Sequence, residues 1–184
     1  MKRAVEFQRR FDERLAEEAV PAPNGRALLT PSLPRVFYAN QFAVELGTEA
    51  TADELIEELE PLFWAAGLAH RKVSIDDELG AQLASEFRRL GWKVEELVVM
   101  PHAEPTPAID TSAVEEIHWS ELEPIWAEGM RSSPEVQDEE EVRQLVAAQH
   151  RRRIAVDVRY FGARADGRIA SYCELFSAGS TGQI

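Results

Sequence analysis

The chain has 184 residues, of which 45% are hydrophobic and 29% are charged, and its formal net charge is −13. At roughly 150 residues per domain, this composition predicts one large or two small globular domains and excludes collagen-like, low-complexity and disordered chains. The negative charge repels nucleic-acid phosphates and anionic membranes, so we expect neither a nucleic-acid nor a membrane partner.

Redox-active and metal-binding residues are few. Cys173 is the single cysteine, which excludes an intrachain disulfide. The four histidines fall in four different predicted elements without the spacing of metal ligands, so we predict no metal site. No apolar run approaches the ~20 residues that span a bilayer, and the N-terminus lacks the apolar block of a signal peptide. We therefore expect a cytoplasmic protein.

The first half of the chain begins with two helical patterns separated by an extended segment. Residues 3–19 place apolar side chains three to four apart, which lines one face of a helix. Residues 26–46 read as extended chain. Thr51 and Glu54 form the capping box of a second helix, which we expect to stop near Gly67.

A β-α-β unit is predicted next. It consists of a strand over residues 70–75, a helix over residues 78–90 and a second strand over residues 94–100. The second strand is inferred from its run of apolar and β-branched side chains.

A domain boundary is predicted after this unit. Residues 101–107 contain three prolines and few apolar side chains, which is typical of a linker. We therefore predict two domains, residues 1–106 and residues 107–184. The second half has the pattern β-α-α-β-β: a strand over 113–118, a helix capped by Ser120 and Glu123, a helix over 138–153, and strands over 154–160 and 169–177 joined by an Asp166-Gly167 turn.

This order of elements resembles the N-terminal half of the GNAT superfamily of N-acetyltransferases. The hairpin whose second strand reads Gly167-Arg-Ile-Ala-Ser-Tyr-Cys-Glu-Leu-Phe is the most specific part of the resemblance. The first half, with Leu90-Gly91-Trp92 between its helix and strand, resembles the other end of the same fold. The resemblance implies an α/β protein with a mixed sheet, in which a degenerate GNAT-like region precedes half of a catalytic GNAT domain.

The cofactor that the resemblance implies is acetyl-CoA. In this family a glycine-rich loop after the fourth strand holds the cofactor pyrophosphate through backbone N–H groups and a helix N-terminus. Neither residues 80–84 nor residues 179–182 have the strand-to-helix context that such a loop needs. We therefore expect the loop beyond Ile184, and we expect this chain to be incomplete and inactive alone.

The resemblance also suggests residues for an acceptor pocket. Trp126, Glu128, Met130 and Arg131 would form one wall, on the first helix after Ser120. The alternative is structural: Trp126 and Met130 are four apart and suit the core face of a helix, and Glu128 and Arg131 suit a solvated ion pair.

Tyr172 and Glu174 share one face of the last predicted strand, where the phenol would contact the substrate and the carboxylate would act as the catalytic base. Alternatively, Glu174 is an ordinary cross-strand polar residue, because GNAT enzymes usually take the base from the fourth strand. Cys173, on the other face, is predicted to be a small buried hydrophobe rather than a nucleophile.

The sequence therefore leaves two functions open. The first is an acetyl-CoA-dependent N-acetyltransferase that acts on a primary amine, either a small molecule or a peptide. The alternative is a non-catalytic GNAT-like module that binds a metabolite or a protein partner. We also expect the free edge of the strand over residues 169–177 to pair with the first half of the chain or with a second copy, which would give a homodimer.

Overall fold

A computed structural model of the protein describes residues 2–100 and 108–184, so the predicted linker at residues 101–107 lies outside the described residues. The chain divides into two compact units. Gln8–Val99 form the first unit, and Met100–Ile184 together with Met1–Phe7 form the second. The described residues form an α+β protein with five helices and two four-stranded sheets.

The first sheet is mixed. Its strands lie in the order β1-β2-β3-β4. The β1–β2 and β2–β3 pairs are antiparallel, whereas the β3–β4 pair is parallel. The helix α2 is the crossover between the two parallel strands. The elements are α1 (Lys2–Leu15), β1 (Glu18–Ala22), β2 (Gly25–Leu29), a 3-10 turn (Phe37–Ala39), β3 (Gln41–Val44), α2 (Ala52–Ala65), β4 (Val73–Ser74) and α3 (Glu78–Arg89).

The core of the first unit lies between this sheet and α2 and α3. Leu55, Leu59 and Phe63 recur every four residues on α2 and are fully buried against Phe42 of β3. The predicted capping box at the start of α2 is confirmed, because the Thr51 hydroxyl accepts a hydrogen bond from the Glu54 N–H and the Glu54 carboxylate accepts one from the Thr51 N–H.

Two predictions for the first half are wrong. Residues 18–29 form the β1–β2 hairpin instead of a helix end followed by extended chain. Pro21 is tolerated there because β1 is an edge strand. Residues 94–100 are not a strand, since the backbone has no sheet partner, and Leu97 and Met100 are 87% and 86% exposed. The β-α-β unit therefore lacks its second strand.

The second sheet is antiparallel throughout, in the order β5-β6-β7-β8. Two helices from this unit pack against it. Their core contacts involve Ile117, Trp119, Leu122, Trp126 and Tyr160. The elements are β5 (Val114–Ile117), α4 (Trp119–Arg131), α5 (Glu139–Ala155), β6 (Asp157–Ala165), β7 (Arg168–Ala178) and β8 (Thr181–Gln183).

The β6–β7 hairpin confirms the predicted turn. Asp166 and Gly167 both have positive φ, 51° and 76°, which suits a two-residue hairpin loop. A register shift between Ala163 and Arg164 interrupts the ladder. Beyond this bulge, Tyr160 lies directly opposite Glu174.

The start of α4 differs from the prediction. Ser120 is not the N-cap; His118 is, and its ring nitrogen Nδ1 accepts a hydrogen bond from the Ser120 N–H at 3.3 Å. The helix therefore begins at Trp119, two residues earlier than the Ser120–Glu123 pattern predicts. The cap of α5 is Asp138, whose carboxylate accepts a bond from the Glu141 N–H at 3.0 Å.

Candidate functional site

The apolar residues predicted to line an acceptor pocket on α4 lie in the core. Trp126 is buried with Trp119 and Leu122, and Met130 packs against the same cluster. Their four-residue spacing is therefore explained by packing against the sheet.

The charged residues predicted for the same wall form a surface ion-pair cluster. The Arg131 guanidinium donates to both carboxylate oxygens of Glu139, at 2.9 and 2.8 Å, and to Glu128 at 3.4 Å. These hydrogen bonds, chiefly those to Glu139, raise the pKa of Arg131. Arg131 thus links the end of α4 to the start of α5, and all three side chains are exposed.

Tyr172 and Glu174 share a face of β7, as predicted from the strand alternation. Phe176, two residues further on, is buried on that face, which identifies it as the face packed against the helices. Glu174 keeps 14% of its side chain exposed, whereas Tyr172 is 40% exposed. Cys173 lies between them on the opposite face and is exposed, so the prediction of a buried thiol is wrong.

Burial makes Glu174 harder to ionise than a solvated carboxyl group. Burial raises the pKa of Glu174, and the nearby Arg152 guanidinium, at 3.7 Å, offsets only part of that effect. Arg152 also lies over the Phe176 ring, 4.4 Å from its centroid, so this cation has an aromatic as well as an ionic contact. The result is a carboxylate poised to gain a proton more readily than a solvated one.

Two buried polar atoms, one on the cross-strand partner of Glu174 and one on the ring next to that partner, have no hydrogen-bond partner among the described residues. They are the Tyr160 hydroxyl and the Trp119 indole Nε1, and both residues are 3% exposed. Their rings are 5.3 Å apart. Burial, followed by the charge of Glu174, raises the pKa of Tyr160 to about 12, so the phenol stays protonated at neutral pH.

Sequence reasoning missed three members of this cluster. Trp119 lies between the predicted strand and the predicted cap of the next helix, so no pattern singles it out. Tyr160 is one of the alternating residues of a predicted strand, and Arg152 lies in the last turn of a predicted helix, where a cation complements the helix dipole. No pattern in the sequence located the bulge that places Tyr160 opposite Glu174.

The N-terminus of α2 is not free to bind the pyrophosphate of acetyl-CoA. The parallel strands β3 and β4 are joined through α2, so the N-terminus of α2 is where a phosphate loop would act. There, however, the Ala52 N–H donates to the Glu86 carboxylate at 3.1 Å, and the Glu54 N–H donates to Thr51. A carboxylate of the chain already occupies this anion-binding position.

The ends of β3 and β4 are also bridged by a side chain. Arg9 of α1 donates to the Val44 carbonyl at 2.9 Å and to the Asp76 carboxylate at 3.1 Å. The glycines that the sequence raised as alternatives do not form a phosphate loop either, because Gly80 lies inside α3 and Gly179 lies in the β7–β8 turn.

Comparisons of the chain with protein-family models, with curated proteins and with solved structures found no match. In the part of the chain that the structure describes, no three His, Cys, Asp or Glu side chains are grouped to hold a metal ion. Within the same residues, no helix is long and apolar enough to cross a bilayer. We define the Glu174 cluster as Glu174, Tyr160, Trp119 and Arg152.

Proposed function

We propose that residues 108–184 form the acceptor half of a GNAT-type N-acetyltransferase, which in complete form moves an acetyl group from acetyl-CoA to a primary amine. The observation that carries this proposal is Glu174, a largely buried carboxylate with a raised pKa on the sheet face beneath α4 and α5. A desolvated carboxylate attracts an ammonium group strongly, and a raised pKa brings a base closer to neutrality.

The element order supports the same proposal. The second unit has a strand, two helices and three antiparallel strands, which resembles the N-terminal half of the GNAT fold. The first unit has a parallel strand pair joined by a helix, which resembles the other half. The resemblance extends to architecture only, and the chemistry is argued from the Glu174 cluster.

The role of Glu174 in this proposal is to bind the substrate ammonium and accept one of its protons. The carboxylate then becomes a carboxylic acid, and the amine nitrogen keeps the lone pair that acyl transfer requires of its nucleophile. Arg152 stays beside Glu174 and holds its side chain in place. Acetyl-CoA is the acetyl donor in the GNAT superfamily, and in the complete protein it would supply the acetyl group that the deprotonated amine takes up.

Amine binding by the 184-residue chain tests the proposal. We expect at least one member of a panel of primary amines, including amino-acid amides and polyamines, to shift the side-chain carboxyl signal of Glu174 in NMR spectra. Glu174→Gln should weaken that binding at least tenfold, because it removes the charge. Glu116→Gln, which changes an exposed carboxylate on β5, is the matched control. Absence of binding, or equal binding by both variants, would contradict the proposal.

Turnover is a separate measurement. The chain of residues 1–184 should release no thiol from acetyl-CoA with the same amine panel, since Glu86 occupies the described helix terminus that would receive pyrophosphate. If the parent chain does release thiol and Glu174→Gln abolishes the release, the chain is a transferase. Acetyl-CoA would then bind without using the N-terminus of α2.

A non-catalytic function is the second candidate, and one observation favours it for the first unit. The Ala52–Glu86 hydrogen bond and the Arg9 bridge fill the positions where a cofactor would lie between parallel strands. Glu86→Gln tests this reading: if Glu86 replaces the cofactor phosphate, the variant should bind coenzyme A or pyrophosphate in calorimetry where the parent chain does not. Exposed Glu57→Gln on α2 is the control.

A further inference from the structure

Two unpartnered polar atoms of the Glu174 cluster indicate which hydrogen-bonding groups its ligand has. The Trp119 Nε1 and the Tyr160 hydroxyl are fully buried and have no hydrogen-bond partner among the described residues. Leaving a buried donor unpaired is costly, and folded proteins rarely do so without a functional reason. Both atoms belong to neighbouring rings, whose centroids are 5.3 Å apart.

The hydrogen-bonding chemistry of the three groups is complementary. An indole N–H can only donate, and the protonated Tyr160 phenol is also a donor. An ionised carboxylate such as Glu174 can only accept. Tyr160 and Glu174 are directly opposite each other on β6 and β7, so the phenol donor and the carboxylate acceptor lie side by side, and the Trp119 ring is next to that of Tyr160.

We propose that the Glu174 cluster binds the aminoacyl group of an α-amino acid or its amide, with the ammonium on Glu174 and the neighbouring carbonyl oxygen on Trp119 and Tyr160. This inference rests on the proposed function, because it names the class of amine that the same site accepts. A simple alkylamine would satisfy Glu174 and leave both donors unpaired. A ligand with an oxygen acceptor one carbon away from the amine satisfies all three groups.

The route of entry follows β7. Tyr172 is 40% exposed on the same face, two residues before Glu174, and the Glu174 side chain itself reaches solvent. A ligand that approaches along this stretch reaches the carboxylate, and the buried Tyr160 lies directly opposite it. The aromatic rings exclude water there, which makes each unpaired donor more costly and each hydrogen bond to the ligand more selective.

The test uses three probes of matched size: L-alaninamide, which has both groups, ethylamine, which has the amine alone, and propionamide, which has the carbonyl alone. Binding is measured by calorimetry and by the indole N–H signals in ¹H–¹⁵N spectra. The Trp119 signal is assigned with Trp119→Phe. We expect L-alaninamide to shift that signal and to bind at least tenfold more tightly than either single-group probe.

Variants separate the two contacts. Tyr160→Phe should weaken L-alaninamide binding about tenfold and leave ethylamine binding unchanged, because it removes only the carbonyl contact. Glu174→Gln should weaken both. Tyr38→Phe, which removes a hydroxyl in the first unit, and Trp64→Phe, which removes an exposed indole, are the matched controls.

The outcomes are distinguishable. If L-alaninamide and ethylamine bind equally and both depend on Glu174, the amine site stands and the aminoacyl inference is wrong. If Tyr160→Phe leaves L-alaninamide binding unchanged, the carbonyl contact is likewise excluded. If none of the probes and no amine of the wider panel binds, the proposed function fails together with this inference.

Discussion

Tyr160 and Glu174 form a cross-strand pair in which burial raises the pKa of each group. Burial is the first cause of the raised pKa of both groups. For Tyr160 the proximity of the Glu174 charge adds to the effect, whereas for Glu174 the Arg152 charge opposes it. The pair therefore combines a permanent donor with a carboxylate whose charge responds to pH.

Removing the Tyr160 hydroxyl should make the protein more stable. Because the hydroxyl is buried and unpartnered, Tyr160→Phe deletes its desolvation cost and keeps the ring, so we expect a gain of about 1 kcal/mol in the free energy of unfolding. Urea denaturation measures it, with exposed Tyr172→Phe as the control for losing a phenol on the same sheet. A loss of stability would show that the hydroxyl has a partner in the folded protein.

The raised pKa of Glu174 has a defined consequence for stability against pH. In the folded state the carboxyl holds its proton to a higher pH than in the unfolded chain, where it ionises near 4.3. The parent protein should therefore lose stability as the pH rises through the window between the unfolded and the folded pKa.

Glu174→Gln, which cannot ionise, should escape that loss. The melting temperature of the variant relative to the parent should increase between pH 4 and pH 7, and Glu116→Gln should not show this increase. A difference that stays constant across this range would mean that the pKa of Glu174 is the same in the folded and unfolded states.

The element that assembles the cluster is the β6–β7 hairpin, and its bulge sets which residues meet. Counting back from the Ala165–Arg168 pair without interruption would place Tyr160 opposite Cys173. The register shift between Ala163 and Arg164 moves Glu174 into that position instead. One extra residue therefore decides whether the phenol faces a carboxylate or a thiol.

The register shift marks the limit of what the sequence could predict about the site. The helices, the Asp166-Gly167 turn and the shared face of Tyr172 and Glu174 follow from local patterns of capping, turn residues and alternation. The bulge depends on the fit between two strands, which no local pattern encodes. The predicted strand over residues 94–100 is wrong for the same reason. Its side chains favour a strand, but a strand also needs a partner strand, and these residues have none.

Gly162 on β6 offers a test of how tightly that hairpin fits its neighbours. A Cβ built there would lie 2.8 Å from the Ser171 carbonyl oxygen and would collide with the Ile117 side chain. Gly162→Ala should therefore lower the free energy of unfolding by about 1–3 kcal/mol.

Gly129→Ala is the matched control, because nothing lies within 4 Å of its added methyl group on α4. Alanine favours a helix over glycine, so this variant should be more stable by up to ~1 kcal/mol. Similar effects of the two substitutions in urea denaturation would contradict the close approach at Gly162.

At the scale of the whole chain, each unit has its own buried cluster. Leu59 is fully buried in the first and Leu122 in the second. Leu122→Ala should lower the stability of the second unit by about 2–5 kcal/mol.

Tryptophan fluorescence can report this change. Trp119 and Trp126 lie in the core of the second unit, so in a Trp64→Phe, Trp92→Phe background their emission follows that unit alone. The midpoint of this transition should fall in Leu122→Ala and shift less in Leu59→Ala. Equal shifts would show that the two units unfold as one cooperative system.

The position of Cys173 has a practical consequence for spectroscopy. It is the single thiol of the chain, it is exposed, and it is the residue next to Glu174. Strand alternation directs its side chain to the opposite face of β7. A fluorophore or spin label attached there would report on this strand from a single known position and leave the face that carries Glu174 unmodified.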